Sequence, residues 1–464
     1  MDDQECLTIP VENVAFRDLV SEITTTTYAT HGLHTYPAKF IPQVVRYFLK
    51  NYTKEGDVVL DPFGGSGTVA VECSLMGRNS ITLDINPISK LLVNCKTKIT
   101  STPQNLRSLL LKEIDRMFEY NGKEFHPNWK KVTYWIDPLF LPFLKKIFGY
   151  IKYECKANEI KDILFLVGLS ISRKLATTDE KIPKLYKSPK SKKRVESLKK
   201  VDWRTICKQH AKEVGNKYIN AIIEYNRLSP KGKHLVFAPQ DILNWKYDGT
   251  IDAIITSPPY MQAQEYIRSF KIDLCWLNYS DSKMRKLTNL EIPYRKAPER
   301  ISTPTIDMVR RKIEMLSLEE ANGMRSKSLD EKKLENAKKD WLSIFDSYFY
   351  FLLKGLEHVS KNLKKGGFIG IFVGNPKMQG FEIEIWKVLY EYLAYHGFEI
   401  VKVYKDPIKV KNLFKGRKNT NPNGMKHEFL TILKKTGNIH QPLCVTYNEN
   451  EHDPIIDRLL EQKN

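Results

Sequence analysis

The sequence predicts an α/β fold, in which a mainly parallel sheet is covered by helices on both faces and interrupted by a mostly helical insertion. Two apolar runs, 58–60 and 251–255, have the length of buried parallel strands, and a distinctive motif follows each of them. Open α/β sheets place their ligands at the carboxyl ends of such strands. The insertion is inferred because about 150 residues separate the strand that ends before Asp84 from the strand that begins at Leu235, whereas a connecting helix needs far fewer.

The first motif is a carboxylate followed by a glycine-rich turn, Asp61 and then Gly64-Gly65-Ser66-Gly67-Thr68. Glycines let the backbone approach a ligand closely, and the predicted helix from Thr68 to Met76 adds the positive end of its dipole. The next strand, Ser80–Leu83, ends in Asp84, where a carboxylate is placed to accept hydrogen bonds from ribose hydroxyls.

The same turn also fits the loose dinucleotide pattern G-x-G-x-x-A, over Gly65–Ala70. A nicotinamide enzyme is therefore an alternative. However, Asp61 lies just before the glycines, where it would repel a pyrophosphate but would suit the α-amino group of an amino-acid-like cofactor.

The second motif is Thr256-Ser257-Pro258-Pro259-Tyr260. Two prolines lack N–H donors and fix φ, so the chain must leave the sheet here. The motif then presents a serine, carbonyls without competing donors and an aromatic face, which suit a flat substrate with an NH2 group, such as a nucleobase. The alternative is a proline-terminated loop with a core tyrosine.

Together these motifs resemble those of the amino-group DNA methyltransferases that use S-adenosylmethionine. Residues 61–68 match the family's cofactor loop, residues 256–260 match its catalytic motif, and residues 34–42 look like the segment that closes over the methionine end of the cofactor. The resemblance covers residues 30–95 and 235–435 and includes later strands at 366–373 and 428–433. The cofactor half precedes the catalytic half, as in one of the family's permuted arrangements.

The resemblance implies a Rossmann-like methyltransferase sheet and a set of site residues. Catalysis would fall to Ser257, Pro258, Pro259 and Tyr260. Cofactor contacts would fall to Tyr36, Pro37, Lys39, Phe40, Asp61, Pro62, Phe63, Gly64, Gly65, Gly67, Thr68, Asp84, Asp241 and Ile242. Asp241 would serve equally as a helix cap.

The chemistry expected of this site is methylation of an exocyclic amine. The lone pair of such a nitrogen is delocalised into the ring, and acceptors at Ser257 Oγ and the Pro258 carbonyl would free it for in-line attack on the sulfonium methyl. No cysteine nucleophile is needed. The target base must leave the duplex, and Tyr260 would provide a stacking surface for it.

Ser257 also bears on which base is modified. Adenine-N6 enzymes of this family usually have aspartate at that position, whereas serine resembles the cytosine-N4 group. The sequence therefore predicts a cytosine-N4 methyltransferase of duplex DNA, the modification enzyme of a restriction–modification system with a separate endonuclease. Adenine-N6 methylation, RNA amino-group methylation and an inactive nucleic-acid-binding module are the alternatives.

Composition agrees with a polyanionic partner. The formal net charge is +20, which favours nucleic acid and makes binding sensitive to salt. The seven cysteines include no C-x-x-C pair, so a reducing compartment and no metal site are expected. The sequence shows no signal peptide or long apolar span, so a cytoplasmic protein without membrane contact is expected.

Three regions are predicted: 1–99 and 234–464 as the two parts of the catalytic domain, and 100–233 as the helical, basic insertion. A second insertion is predicted at 280–340, and either insertion is a candidate for reading the target sequence. The lysine-rich run 181–200 is interpreted as a mobile loop, with a solvated linker as the alternative. DNA contacts are assigned there to Lys190, Lys192, Lys193 and Arg194.

Overall fold

The predicted α/β class is confirmed by a nine-stranded sheet that is mostly parallel and has helices on both faces. The computed structural model describes residues 7–37, 39–100, 103–179, 184–261, 265–323, 329–408, 425–439 and 445–449. In these ranges the strands are β1 (Leu7–Asn13), β2 (Val58–Asp61), β3 (Asn79–Leu83), β4 (His234–Phe237), β5 (Ile251–Thr256), β6 (Leu363–Gly374), β7 (Lys377–Met378), β8 (Phe381–Glu382), β9 (Phe398–Pro407), β10 (His427–Lys435) and β11 (Val445–Glu449).

In the same described ranges the structure has 17 α-helices, one π-helix and two 3-10 helices. The α-helices are α1 (Phe16–Leu19), α2 (Pro42–Tyr52), α3 (Thr68–Leu75), α4 (Ile88–Lys96), α5 (Pro103–Glu119), α6 (Val132–Trp135), α7 (Leu141–Gly149), α8 (Lys161–Leu175), α9 (Pro189–Leu198), α10 (Trp203–Arg227), α11 (Tyr266–Ser269), α12 (Lys271–Trp276), α13 (Asp281–Thr288), α14 (Pro304–Glu314), α15 (Leu318–Gly323), α16 (Glu331–Ser360) and α17 (Ile385–Ala394). A π-helix spans Tyr150–Glu154, and 3-10 helices span Ile242–Asn244 and Ile292–Tyr294.

The strand order is β11-β1-β9-β10-β6-β5-β2-β3-β4. Only β10 runs antiparallel to its neighbours in this sheet, β6 and β9. β2 is paired in parallel with both β3 and β5. Because the carboxyl ends of parallel strands meet at one edge, the three polar motifs that follow β2, β3 and β5 lie side by side.

The central strands are buried on both faces. Leu60 of β2 and Ile254 of β5 pack into the core beneath α16 and α17, whereas Val59 and Ile255 pack into the core beneath α2 and α3. This two-sided burial explains why these strands read as continuous apolar runs rather than as alternating patterns.

The insertion between β3 and β4 forms a helical unit, α5–α10, whose core also receives α12 from the chain that follows the catalytic motif. Trp276 of α12 stacks on Phe148 with ring centroids 4.2 Å apart, and its Nε1 donates a 2.7 Å hydrogen bond to Ser172 Oγ. The second predicted insertion is divided: α13 packs with this helical unit, whereas α14 and α15 pack against α16 beside the sheet.

The sequence interpretation missed three strands of the nine-stranded sheet as well as the two short strands β7 and β8, and it misassigned one segment. β1, β9 and β11 were not predicted, and β1 contains Pro10, which is unfavourable inside a sheet. The lysine-rich run was expected to be a mobile loop, but α9 lies within it. Ser188 and Ser191 form a reciprocal capping box, with Ser188 Oγ accepting from Ser191 N at 3.1 Å, and Pro189 occupies the first helical turn.

Among the described helices, none combines the length and the apolar composition that crossing a membrane requires.

Candidate functional site

Asp61 lies at the carboxyl end of β2 and is almost completely buried. Its Oδ1 accepts hydrogen bonds from Thr256 Oγ1 at 2.7 Å and from Phe63 N at 3.1 Å. Burial raises the pKa of this carboxyl to about 7, and the nearby Asp84 acts in the same direction, while the two hydrogen bonds oppose the shift. A buried, poorly compensated carboxylate at the mouth of a cleft is suited to receive a cationic ligand group.

The glycine turn is held tightly against the neighbouring strand. A Cβ on Gly64 would lie 2.1 Å from Thr82 Cγ2, so no side chain fits at this position. Gly67 has φ +80° and immediately precedes α3, and a Cβ there would lie 2.7 Å from Val93 Cγ2. The close packing and the left-handed backbone explain why the turn requires glycine at both positions.

Asp84 follows β3 and fixes the same turn from the other side. Its Oδ2 accepts from Gly65 N at 2.7 Å and its Oδ1 from Asn86 N at 2.7 Å. Burial raises the pKa of Asp84 to about 6, against the effect of these backbone donors. Each oxygen keeps a lone pair for a further donor, since a carboxylate offers about four acceptor positions.

The segment before α2 contacts the turn through an aromatic ring. A Cβ on Gly65 would lie 3.2 Å from Tyr36 Cε1, and Tyr36 in turn lies against Phe270, with centroids 4.9 Å apart. Lys39 Nζ donates to the carbonyls of His31 and His34 at 3.1 and 2.7 Å, and burial lowers its pKa to about 8.

A second lysine supports the turn from beneath. Lys96, at the end of α4, is fully buried and donates from Nζ to Ser66 O at 2.7 Å. Burial lowers its pKa well below the usual value. Sequence reasoning missed this contact, because a lysine at a helix end is typical of exposed positions.

The catalytic motif leaves β5 beside Asp61. Tyr348 of α16 donates from its hydroxyl to the Pro259 carbonyl at 3.0 Å, and the Tyr260 hydroxyl is hydrogen-bonded to Glu428 of β10. Pro258 is buried, whereas Ser257 is partly exposed. The motif is thus clamped at two points between α16 and β10, with Ser257 facing open space.

Asp241 is a helix cap, and it is also one half of an ion pair. It caps the 3-10 helix Ile242–Asn244, and Arg295 binds it with both terminal nitrogens, NH1 to Oδ1 at 3.0 Å and NH2 to Oδ2 at 2.7 Å. The Arg295 guanidinium lies 4.2 Å from the centroid of the Phe351 ring. Because Arg295 already binds both carboxylate oxygens of Asp241, the apolar side chain of Ile242 is the group at this position that can contact the ring of a ligand.

These elements enclose one open cleft of about 940 Å³. This volume includes the open space at the mouth of the cleft, so the site is an open groove rather than an enclosed cavity. The predicted site residues that line it are Tyr36, Lys39, Phe40, Asp61, Pro62, Phe63, Gly64, Gly65, Thr68, Asp84, Asp241, Ile242, Ser257 and Pro259. Pro37, Gly67, Pro258 and Tyr260 are not among the residues that line the cleft.

Sequence reasoning did not assign eight further lining residues to the site: Ser66, Ile85, Gln240, Tyr266, Leu290, Glu291, Ile292 and Arg295. Ser66 and Gln240 lie inside motifs that the sequence shows, so extending those motifs by one position would have found them. The last five come from the chain after the catalytic motif, Tyr266 from α11 and the other four from the 3-10 helix Ile292–Tyr294 and the residues next to it, and no local pattern marks them.

The predicted DNA-contact residues lie on α9, outside the cleft. Lys190, Lys192 and Lys193 are exposed. Arg194 instead donates to the carbonyls of Ala176 and Thr178 at 2.7 and 3.1 Å, and so binds the chain that follows the end of α8. A guanidinium held in this way stabilises the exposed carbonyls at a helix carboxyl terminus.

Comparison with known proteins identifies the group to which the site is similar. Residues 14–93 match the family model of the N6/N4 methyltransferases, described as DNA methylase. The type II methyltransferase M.MjaII of Methanocaldococcus jannaschii is 32% identical over 181 residues, which are 37% of this chain and 33% of that protein.

Two longer alignments have lower identity. The type II methyltransferase M.BsoBI of Geobacillus stearothermophilus is 25% identical over 60% of this chain and 58% of that protein. M.MvaI of Kocuria varians, also a type II methyltransferase, is 24% identical over 58% of this chain and 62% of that protein. The chain thus spans between one third and about three fifths of the length of these relatives.

Proposed function

We propose that the chain is an amino-group DNA methyltransferase, which transfers a methyl group from S-adenosylmethionine to an exocyclic amine of a DNA base. The observation that carries the proposal is the cleft itself, which is lined by Asp61, the glycine turn and Asp84 at one end and by Ser257 and Pro259 at the other. A methyl donor and an acceptor base would therefore share one enclosure.

The residues of the cleft fit S-adenosylmethionine. Asp61 is a buried carboxylate suited to the cationic α-amino group, and Asp84 keeps acceptor capacity for ribose hydroxyls. Ile85 and Ile242 provide apolar contacts for the adenine ring. Arg295 already binds the carboxylate of Asp241, so we assign the contact with the adenine ring to Ile242 instead of Asp241.

The cofactor, when bound, supplies an electrophilic methyl group on a sulfonium. In the proposed reaction Ser257 Oγ accepts one hydrogen bond from the target amine, and the Pro258 carbonyl accepts the second. The Tyr348 hydroxyl and Glu428 hold Pro259 and Tyr260, so the acceptors are positioned before the base arrives. Positioning of this kind, rather than covalent catalysis, is the main contribution of the chain.

We assign the methylated atom to N4 of cytosine, with N6 of adenine as the alternative. Ser257 supports this choice, because a hydroxyl both donates and accepts and can turn towards the cytosine ring nitrogen N3. The experiment is to incubate the protein with S-adenosylmethionine and duplex DNA, digest the DNA to nucleosides and identify the product by mass spectrometry. N4-methylcytosine is expected, whereas N6-methyladenine alone would overturn the base assignment.

Parallel reactions with structured and single-stranded RNA test the substrate. Methyl transfer to RNA and not to DNA would overturn the proposal, and transfer to neither would favour a binding module without activity. As the related proteins are type II methyltransferases, we assign this chain to the modification half of a restriction–modification system, with a separate endonuclease.

A further inference from the structure

One wall of the cleft belongs to the chain after the catalytic motif and contains a carboxyl group that the mechanism does not use. Leu290, Glu291, Ile292 and Arg295 all line the cleft. Glu291 is 4% exposed, and its Oε1 accepts a 3.1 Å hydrogen bond from Ile267 N. Its Oε2 is buried and has no hydrogen-bond partner among the residues that the structure describes.

An acceptor left unpaired in this way is costly. A buried polar atom without a partner is destabilised relative to the same atom in water, because it gives up its hydrogen bonds to the solvent and gains none in return. Burial also disfavours the charged form of Glu291 and raises its pKa to about 7. The backbone donors of Ile267 and Tyr266 only partly oppose this shift. A ligand with a hydrogen-bond donor at this position would remove the penalty.

The anchoring of this wall indicates which ligand. Arg295 binds Asp241, which follows β4, and β4 is the third strand from β5 in the order β5-β2-β3-β4. At a spacing of about 4.8 Å per strand, the anchor lies roughly 14 Å across the sheet from the strand that presents Ser257. The backbone of Tyr266 is a hydrogen-bond donor to Glu291. The ring of Tyr266 lies 6.3 Å from the ring of Tyr36, and Tyr36 packs on the glycine turn. The wall therefore faces the cofactor end of the cleft.

We propose that Glu291 accepts a hydrogen bond from a ribose hydroxyl of the bound cofactor, opposite Asp84. This inference rests on the proposed function and deepens it. Asp84 and Glu291 would then hold the nucleoside from the core sheet and from the wall.

The test is to measure binding of S-adenosylhomocysteine, without DNA, to the full chain and to Glu291→Leu and Glu291→Gln. The leucine variant loses the acceptor, so its affinity should fall about tenfold. In the glutamine variant the side-chain oxygen continues to accept from the Ile267 N–H, so the NH2 group takes the position of Oε2. A ribose hydroxyl both donates and accepts, and this variant should therefore bind within about threefold of the parent.

Analogues of S-adenosylhomocysteine that lack the 2′ or the 3′ hydroxyl locate the contact. One of them should bind the parent about tenfold more weakly than the complete ligand, and Glu291→Leu should lose this discrimination. Glu265→Gln is the matched control, since Glu265 is paired with Lys184 and Arg268 and does not line the cleft. Thermal unfolding of each variant establishes that it is folded.

The outcomes separate the inference from the proposed function. If the parent binds no S-adenosylhomocysteine, the proposed function fails. If the parent binds it and Glu291→Leu binds it equally well with unchanged discrimination, only the role of Glu291 is overturned. A folded Glu291→Leu variant with normal cofactor binding but slower transfer to DNA would also overturn the inference, in favour of contact with the target base.

Discussion

Thr256 Oγ1 donates a 2.7 Å hydrogen bond to Asp61 Oδ1 and so joins the ends of two neighbouring parallel strands. Thr256 immediately precedes Ser257, and Asp61 lies three residues before Gly64, the start of the glycine turn. The bond therefore connects Asp61, which is expected to bind the cofactor, with the segment that carries Ser257, which is expected to accept a hydrogen bond from the target amine. Several consequences of this arrangement are measurable.

Replacing Thr256 with valine should weaken cofactor binding. The hydroxyl lowers the pKa of Asp61, so its loss favours the protonated form and removes charge that the ligand needs. We expect about tenfold weaker binding of S-adenosylhomocysteine by calorimetry at pH 7. Thr431→Val is the matched control, because the Thr431 hydroxyl is buried without a described partner, and its loss should leave binding unchanged. Equal affinities for both variants would contradict the role of Thr256.

Asp61→Asn should stabilise the ligand-free protein as it abolishes binding. The pKa of Asp61 is about 7 in the folded chain against 3.8 ordinarily, so between these values the folded chain holds a proton that the unfolded chain has lost. Its contribution to stability therefore falls as pH rises from about 4 to 7. We expect the variant to gain about 1–3 kcal/mol in unfolding free energy at pH 8 and little near pH 4. A gain independent of pH would contradict this explanation.

Binding of the cofactor product should release protons near neutral pH. Burial raises the pKa of Asp61 to about 7 and of Asp84 to about 6, and a ligand that interacts with the charged forms must displace any proton they hold. Affinity for S-adenosylhomocysteine should consequently fall as pH decreases from 7 to 5. Calorimetry at pH 6.5 in buffers of different ionisation enthalpy measures the release directly, and equal heats in all buffers would refute it.

Exposed lysines of α9 should contribute to DNA affinity. Replacing Lys190, Lys192 and Lys193 with glutamine should reduce the slope of log affinity against log salt by about 0.9 for each lost phosphate contact. Lys199→Gln is the control, since Lys199 is already paired with Asp137 and Glu196 at 2.6 and 2.8 Å. Cofactor binding should be unchanged in every variant. An unaltered slope in the triple variant would show that α9 does not contact DNA.

Ser257→Ala should slow methyl transfer without affecting cofactor affinity. Removing one positioned hydrogen-bond partner of a reacting group costs about 10²-fold in kcat. Rapid-quench measurement of a single turnover isolates this step from product release. A variant as fast as the parent would exclude Ser257 from the reaction.

Sequence reasoning identified those parts of the site in which a functional motif stands at the carboxyl end of a predicted strand. Asp61, Asp84 and Ser257 each lie within two residues of the carboxyl end of a predicted strand, so strand position and chemistry could be read together. Arg295 and Glu291 could not be identified in this way, since their place in the cleft depends on how α16 and the helical unit pack around the segment between them. Similarly, α9 was missed because serine and proline were taken as loop residues, although Ser188 and Pro189 are typical of a helix amino terminus.

The position of β1 in the sheet sets an order of events during synthesis. Residues 11–13 of this strand pair with residues 403–405 of β9, and Phe16 N donates to Asp406 Oδ1 at 3.1 Å. At 5–20 residues per second, roughly 20 to 80 seconds pass between translation of β1 and translation of β9. During that interval neither of the strands that pair with β1, which are β9 and β11, has been synthesised. The strands β2, β3 and β5, whose carboxyl ends line the cleft, are all synthesised before either partner of β1.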